Sequence, residues 1–414
     1  MSALVSNDRF VRPSAVPARL RLRLGVVPAL VLALAAGCGQ DEGADTEPAP
    51  SPEAAAPAAA AADWELWAMD QGTHVVHIFD AELEEIDRID LGAHGARVPH
   101  MIEFTPDQRF AFIANPASGN VAIVRAEDRE VVALLETGPR THHAGVAPDG
   151  RSALVSVIGS PAEPWDGKLV EILIHGDGEH FEMGRELVIA EDPLFRERQD
   201  EFVETGGAIC LGFTADGRHG YVTLGPELEE GGAVVLDLET WRLVRVYAPG
   251  EMDVNCGTVL TPSEERMILV GGGSETGVYH AVDVASHEHV HRGETRGHDA
   301  HGTWFTPDGR ELWIVNRVTS NAVIVDPESL EVIHEIPFVG KTPDIIAMSP
   351  EGDWAFVTLR GPNPVTMAHV AVGETPGVAV IDIATREKVR LLEPAAGDEA
   401  SDFHGIAVRR LGSP

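Results

Sequence analysis

The chain has 414 residues, of which 44% are hydrophobic, so it can bury one large core or several smaller ones. Its 42 glycines and 28 prolines favour a fold with many turns over one built from long helices. The formal net charge of −35 argues against nucleic acid and anionic lipid surfaces as partners, because a chain this acidic repels both.

The first element that the chain predicts is an export signal in residues 1–37. Five arginines and one aspartate precede an apolar run, GVVPALVLALAA, which ends in small residues directly before Cys38. A basic start, a short apolar run and a small-residue cleavage point are typical of a signal peptide. The run is too short to span a bilayer, which takes about 20 residues.

The segment Ala35-Ala36-Gly37-Cys38 resembles the cleavage site of bacterial lipoproteins. The resemblance implies cleavage before Cys38, lipidation of its thiol, and an anchored position outside the cytoplasm, in the periplasm, at the outer membrane or at the cell surface. Ala35 stands where that family prefers Leu, so an ordinary secreted protein that is cleaved elsewhere is the alternative.

Residues 38–63 form an Ala-, Pro- and acid-rich stretch without a periodic apolar pattern. Such a composition offers too little apolar surface for a core, so we predict a flexible tether between the anchor and the folded body. The folded body is predicted to span residues 64–411.

A repeated unit fills these residues. Each copy combines a short apolar strand, a turn of the type Pro-Asp-Gly, a second strand, a polar loop and two further strands. Six copies are internal, and they begin at His100, His142, Ile209, Cys256, His301 and Asp344. Copies without a long insertion start 42 to 47 residues apart, which is the period of a propeller blade.

The two ends of the repeat region predict how the ring closes. Three strands precede the first internal copy, and the C-terminal segment HGIAVRR, from His404, matches the first strand of every other copy. We therefore predict an all-β fold, a seven-bladed β-propeller with four-stranded blades, whose first blade the C-terminal strand completes. Closure also removes an open sheet edge that would invite aggregation.

The copy HGTWFTPDGRELWIVNRVTSNAVIVDPESLEVIHEIPFVG, from His301, carries the clearest family signal. It resembles the YVTN family of β-propeller repeats, and the resemblance extends over nearly all of residues 64–411. The resemblance implies the propeller fold, but propellers carry many unrelated activities, so it does not imply one function.

One position of the repeat is rich in metal-binding residue types. It lies six residues before the turn proline or its equivalent, at the start of each innermost strand, so the fold places all seven copies around one mouth of the central channel. The seven residues are His100, His142, Ile209, Cys256, His301, Asp344 and His404. Imidazole and thiol groups suit copper or zinc, so we predict His100, His142, Cys256, His301 and His404 as candidate metal ligands.

The alternative is structural, because a histidine at a channel mouth often bonds a backbone carbonyl or water. Asp344 is a candidate ligand-binding residue and a candidate base of an enzyme. His143 and the pair His298-Asp299 flank the ring and are candidates for a supporting role. Arg317 and Arg360 follow the second strands of their blades; they either clamp an anionic ligand or pair with acidic side chains.

Three long insertions, 158–168, 190–207 and 360–376, are predicted to lie on the same face as the ring, which is typical of a binding surface. Cys210 and Cys256 begin neighbouring innermost strands, and three states stay open for them: a disulfide, Cys256 as a ligand, or two free buried thiols.

The sequence thus favours a monomeric, lipid-anchored binding protein that presents its looped face to a small molecule, a metal or a partner protein. A metal-dependent enzyme or metal carrier, using copper or zinc on the ring, is the alternative. A lactonase- or lyase-like hydrolase has only the fold in its favour. Serine-hydrolase, phosphate-loop, dinucleotide-binding and covalent-haem motifs are absent from the sequence.

Overall fold

The computed structural model describes residues 63–412, apart from residues 164, 177–178, 203–206, 226–230, 273–275 and 367–370. The predicted signal peptide, the lipidation site Cys38 and the tether up to residue 62 lie outside the described residues, so they stay predictions. Within the described part of the chain, no helix is long and apolar enough to cross a membrane.

The described residues form seven four-stranded antiparallel sheets, which confirms the predicted seven-bladed propeller. Blade 1 contains β1 (Trp64–Asp70), β2 (Val75–Phe79) and β3 (Glu85–Asp90), together with β28 (Phe403–Arg410). Blade 2 contains β4 (Met101–Phe104), β5 (Phe110–Asn115), β6 (Asn120–Arg125) and β7 (Glu130–Glu136). Blade 3 contains β8 (Thr141–Val146), β9 (Ser152–Val157), β10 (Lys168–Ile174) and β11 (Phe181–Val188).

The remaining blades repeat the same order. Blade 4 contains β12 (Gly207–Phe213), β13 (His219–Gly225), β14 (Gly232–Asp237) and β15 (Arg242–Tyr247). Blade 5 contains β16 (Thr258–Leu260), β17 (Arg266–Gly272), β18 (Gly277–Asp283) and β19 (His289–Glu294). Blade 6 contains β20 (Ala300–Phe305), β21 (Leu312–Asn316), β22 (Ala322–Val325) and β23 (Val332–Ile336). Blade 7 contains β24 (Pro343–Met348), β25 (Trp354–Leu359), β26 (Gly377–Asp382) and β27 (Glu387–Leu392).

The C-terminal strand closes the ring as predicted. β28 pairs antiparallel with β1, and the register places Trp64 opposite Arg410 and Ala68 opposite Ile406. The seam between blades 7 and 1 is apolar, since Trp64 packs on Phe356 with ring centroids 5.5 Å apart. Because both ends of the described chain meet in one sheet, unfolding of either end opens the whole ring.

The turn between the first and second strands follows the repeated sequence signal. In blade 6 the Thr306 hydroxyl donates to an Asp308 carboxylate oxygen at 2.7 Å, and Gly309 has a φ of 71°. Blade 2 has Gln108 at the same place, with a φ of 60°. Glycine adopts this left-handed conformation without steric cost, so it is the commoner choice.

The hydrophobic core lies between neighbouring blades. Side chains of the middle strands interdigitate in clusters, such as the cluster in which Phe110 and Phe112 of blade 2 meet Val155 and Ile172 of blade 3. Each of these four side chains is fully buried. Because every blade is covered on both faces, its middle strands read as nearly continuous apolar runs.

The connections on one face of the propeller are long, as the insertions predicted. Between β11 and β12 the chain forms two short 3-10 helices (Ile189–Glu191 and Gln199–Glu201) around α1 (Pro193–Arg196). Asp192 caps α1 by accepting a hydrogen bond from the Leu194 N–H at 2.9 Å. Strand order puts these fourth-to-first connections on the same face as the second-to-third connections, including those of the predicted insertions.

Candidate functional site

The seven ring residues lie at or just before the innermost strands, and all are buried. Four histidines from four blades are in contact around the channel. His100 stacks on His404 with ring centroids 3.5 Å apart, and its edge meets His142 at 4.5 Å. His301 meets His404 with centroids 5.6 Å apart. The predicted convergence of the histidines is therefore confirmed.

Three of the histidines join neighbouring blades through Nδ1. His142 Nδ1 bonds the Ile209 carbonyl oxygen at 3.1 Å, and His404 Nδ1 bonds the His100 carbonyl oxygen at 2.9 Å. His301 Nδ1 lies 3.4 Å from the Asp344 carbonyl oxygen and 2.7 Å from a carboxylate oxygen of the same residue. A carbonyl oxygen only accepts, so each Nδ1 carries the proton and donates it.

The glycine that follows a ring residue makes this contact possible. A Cβ at Gly405 would lie 2.2 Å from the His100 carbonyl oxygen, and one at Gly302 would lie 2.4 Å from the Asp344 carbonyl oxygen. The His-Gly pair is thus a structural device that lets two innermost strands approach. A structural role of the histidines therefore explains the contacts of Nδ1, but it does not explain the contacts of Nε2.

His100 has its protonation state set by a different chain of contacts. Arg360 donates to both carboxylate oxygens of Asp402 at 2.8 Å, so this carboxylate is ionised and can only accept. The Gln71 amide nitrogen donates to Asp402 at 2.9 Å, which fixes the orientation of the amide and turns its oxygen to His100. His100 Nδ1 then donates to that oxygen at 3.0 Å.

These contacts leave two facing nitrogens, Nε2 of His100 and Nε2 of His142, without a proton. His100 Nε2 and His142 Nε2 face each other at 3.0 Å, and both rings already carry their proton on Nδ1. Two lone pairs at this distance repel unless a proton or a metal ion lies between them. Burial lowers the pKa of His100 well below its ordinary value, and burial likewise lowers the pKa of His142 to about 3. A shared proton is therefore disfavoured at neutral pH.

Asp344 sits in an ion-pair network that extends away from the histidine pair. Its carboxylate accepts from Arg360 Nη1 at 2.8 Å and lies 3.6 Å from Arg317 Nη1, while Arg317 pairs with Asp299 at 2.8 Å. Burial alone raises the pKa of Asp344, but the positive charges of His301 and Arg360 outweigh it and hold the pKa well below its ordinary value. Asp344 is therefore a charged structural partner and a poor base.

Arg317 and Arg360 pair with acidic side chains, which is the second of the two roles that the sequence left open. Arg360 is 0% exposed and Arg317 is buried, and both are held by carboxylates of the protein. Their guanidinium groups are thus committed to ion pairs with Asp299, Asp344 and Asp402, which are all 0% exposed. We infer that they position the ring and do not form an open clamp for an anion.

His301 differs from the other three histidines. Burial and Arg317 lower its pKa, but the Asp344 carboxylate, 2.7 Å from its Nδ1, outweighs them and raises the pKa above its ordinary value. The imidazole of His301 is therefore protonated at neutral pH, whereas burial lowers the pKa of His404 well below its ordinary value. The donor atoms of His301, Asp344 and His404 nevertheless lie within 4.8 Å of one another.

A cavity of about 370 Å³ opens above the histidines. Four of the five predicted metal ligands line it, namely His100, His142, His301 and His404. Its rim comes from the looped face and from neighbouring turns, and the rim residues include Val98, Pro116, Ala117, Arg140, Ile158 and Val365. The lining also includes the polar residues Asn255, Arg317 and Thr366. A cavity with apolar side chains and a few convergent polar groups is the usual composition of a small-ligand site.

Cys256 lies behind this floor and does not line the cavity. Its Sγ is 3.8 Å from that of Cys210, and both cysteines are free and buried. Burial and the neighbouring Cys210 raise the pKa of the Cys256 thiol well above its ordinary value. The structure therefore has the third of the states that the sequence left open, in which Cys210 and Cys256 are both free, buried thiols.

Two candidates lie apart from the cavity. His143 follows His142 in the strand, so its side chain points the other way; its Nε2 lies 2.9 Å from Glu103 in the lower half of the channel. His298 is half-buried before β20, and its Nε2 has no hydrogen-bond partner among the described residues. Neither side chain lines the histidine cavity.

Sequence reasoning missed Gln71 and Asp402, which hold the ring in place, whereas it expected a supporting role for Asp299. A signal for Asp402 was present, since Asp299 and Asp402 both stand in an Asp-x-His-Gly segment. Gln71 follows the second strand of its blade, which is the position that Arg317 and Arg360 occupy in blades 6 and 7. The alignment of the repeats therefore also contained a signal for Gln71.

No protein-family model matches the chain. No curated protein matches it either. Among solved structures, the chain is similar to hydrazine synthase of Kuenenia stuttgartiensis, with a TM-score of 0.55 and 16% identity over 75% of this chain and 90% of that one. It is also similar to a dihydro-haem d1 dehydrogenase in complex with DHE, with a TM-score of 0.53 and 16% identity over 86% of this chain and 78% of that one. At this identity the similarities show the fold alone, which is the seven-bladed β-propeller.

Proposed function

We propose that this chain is an exported, lipid-anchored β-propeller that binds a copper or zinc ion on its looped face. The observation that carries the proposal is the pair of unprotonated imidazole nitrogens of His100 and His142, which face each other at 3.0 Å. Neutral imidazole is the commonest metal ligand in proteins. His404, stacked on His100, brings a third neutral imidazole to the same cavity.

The surroundings of these histidines fit a metal. Metal-binding histidines usually donate the other ring N–H to a carbonyl or carboxylate, which fixes the ring and makes the bare nitrogen a better donor. His142 and His404 donate to backbone carbonyls, and His100 donates to the Gln71 amide oxygen. The three imidazoles are therefore held in fixed orientations before any ion arrives, which lowers the cost of binding.

Binding is favoured over catalysis by the state of Asp344. An enzyme that used this residue as its base would need a carboxylate free to take a proton. Two buried guanidinium groups and His301 face it, so its proton affinity is low. A small molecule that carries a metal is an alternative occupant, since one protein of similar fold is named a dihydro-haem d1 dehydrogenase.

The cellular part of the proposal rests on the sequence. The basic start, the apolar run and Ala35-Ala36-Gly37-Cys38 support export and lipidation at Cys38. The copy that begins at His301 supports a YVTN-type repeat protein. Palmitate labelling of cells that express the chain tests this part, because a Cys38→Ser variant should lose the label.

Metal content of untagged protein tests the proposed function. After dialysis against Zn²⁺ or Cu²⁺ and removal of the free metal, we expect one equivalent in the wild type and a loss in His100→Ala and His142→Ala. A second group of potential ligands, His175, His180 and Glu182, lies at the surface, so His180→Ala is the matched control. Wild-type protein without metal, or a metal lost only from His180→Ala, would overturn the proposal.

Binding should also stabilise the folded state. At a free metal concentration 100 times the Kd, mass action adds about 2.7 kcal/mol, which raises the melting temperature by about 4 °C for a propeller of this size. His142→Ala should melt at the same temperature with and without the metal.

A further inference from the structure

A second cavity lies in the same channel, below the histidine floor. Its volume is about 370 Å³, and it opens on the face of the Pro-Asp-Gly turns, as its lining residues Gln108, Pro307 and Pro350 indicate. Cys210, Gly257 and Gly302 line its inner end, next to the ring positions. It is therefore separate from the proposed metal site and opens on the opposite face.

The wall of this lower cavity is aromatic and apolar. Met101, Phe104, Phe305 and Met348 contribute to it, and Trp304 stands in it with 49% of its surface exposed. Other blades have small residues at the position of Trp304, such as Ala347 and Ala407, and these leave room beside the indole. A large aromatic side chain this exposed inside a concave surface is the kind of feature that marks a binding site.

The wall also carries one negative charge that no arginine or lysine of the described residues pairs with. Glu103 lies in the lining with 37% of its side chain exposed. One of its oxygens accepts from His143 Nε2 at 2.9 Å and the other from the Val146 N–H at 3.0 Å. His143 Nδ1 in turn accepts from the Leu211 N–H at 3.2 Å, so this imidazole is neutral and leaves the charge of Glu103 in place.

Two further observations agree with a ligand. The hydroxyl of Thr303, which lines the same cavity, has no hydrogen-bond partner within the described part of the chain. Arg410 is the one arginine or lysine among the described residues that line the cavity, and its side chain is exposed at the end of β28. The net charge of −35 raises the local concentration of cations and lowers that of anions.

We propose that the lower cavity binds an organic cation with a flat apolar body, which stacks on Trp304 and places its positive charge near Glu103. Among the aromatic side chains, the indole of tryptophan attracts a cation to its face most strongly. The apolar body would cover Trp304 and Phe104, and the carboxylate would favour a cation over an anion of the same shape. This site is independent of the proposed metal function.

Fluorescence titration of the full chain with 9-aminoacridine, a flat fluorescent cation, tests the proposal. We expect saturable binding of one equivalent, a loss of affinity of about tenfold or more in Trp304→Ala, and a similar loss in Glu103→Gln. Phe338→Ala is the matched control, because Phe338 is an equally exposed aromatic residue outside this cavity and its removal should leave the affinity unchanged.

The anionic probe anilinonaphthalene sulfonate distinguishes selective binding of cations from nonspecific binding of apolar molecules. It should bind the wild type at least about tenfold more weakly than the cation does. Glu103→Gln should reduce this difference in affinity between the two probes. Absence of saturable binding, equal binding of both probes, or wild-type affinity in Trp304→Ala would overturn the proposal. About half of the surface of Trp304 is exposed, so its variant is expected to fold, and an unchanged melting temperature serves as the check.

Discussion

Removal of the guanidinium of Arg360 should destabilise the propeller strongly. The group is fully buried and joins two fully buried carboxylates, through bonds of 2.8 Å to Asp402 and 2.8 Å to Asp344. In Arg360→Met both carboxylates lose this partner without gaining access to water. Loss of one partner from a buried ion pair costs about 3 to 5 kcal/mol, because the remaining charge is left uncompensated.

The size of the chain converts this cost into a melting temperature. The entropy of unfolding is about 2.1 cal/mol/K per residue, so about 350 residues give about 0.7 kcal/mol/K. We therefore expect Arg360→Met to melt about 4 to 7 °C below the wild type, measured by calorimetry at one scan rate. The matched control is Arg310→Met, since Arg310 is 84% exposed and lies 3.7 Å from Asp308, and its loss should lower the melting temperature by about 1 °C or less.

The same pair of variants separates the two roles that the sequence left open for Arg360. A structural role predicts the large loss without any ligand and no response to added phosphate or sulfate. A clamp for an anionic ligand predicts a small loss and a stabilisation of the wild type by such anions, which Arg360→Met would lack. Equal melting temperatures of the Arg360 and Arg310 variants would refute the ion-pair reasoning.

Three further outcomes follow from particular contacts. Gly405→Ala should destabilise the protein by about 1 to 3 kcal/mol, because its Cβ would lie 2.2 Å from a backbone carbonyl oxygen, whereas Gly250→Ala has open space and should be neutral in chemical denaturation. Deletion of residues 403–412 removes β28 and should leave a chain that aggregates in size-exclusion chromatography. Asp253 bonds His280 at 2.7 Å, and although burial raises its pKa, this contact and Arg292 hold the pKa below its ordinary value. The stabilisation is therefore present at neutral pH and is lost as the pH falls toward the lowered pKa, so the melting temperatures of wild type and Asp253→Asn should begin to converge below about pH 4.

The sequence predicts the architecture because the repeat is long and its turn chemistry is local. Spacing from the turn proline, together with the match of HGIAVRR to the other first strands, was enough to bring His100, His142, His301 and His404 together, since the position within a blade fixes the position around the channel. Strand alternation also separates His143 from the ring, because neighbouring residues of a strand point to opposite sides.

The electrostatics of the ring depend on contacts between distant residues, which spacing does not reveal. Gln71 and Asp402 are 331 positions apart, and their hydrogen bond decides which nitrogen of His100 carries the proton. The charged state of Asp344 likewise follows from two arginines that face it from two blades. Residue types therefore predicted which groups meet, whereas the structure was needed to assign their protonation and their roles.

The central claim is that an ion belongs between two imidazoles of the ring. Anomalous diffraction from crystals of the untagged protein grown with Zn²⁺, recorded on both sides of the zinc absorption edge, locates such an ion directly. The account predicts a peak within about 2.0 to 2.2 Å of both His100 Nε2 and His142 Nε2. Zinc found only beside His175 and His180, or no peak in the channel of a metal-saturated crystal, would contradict it.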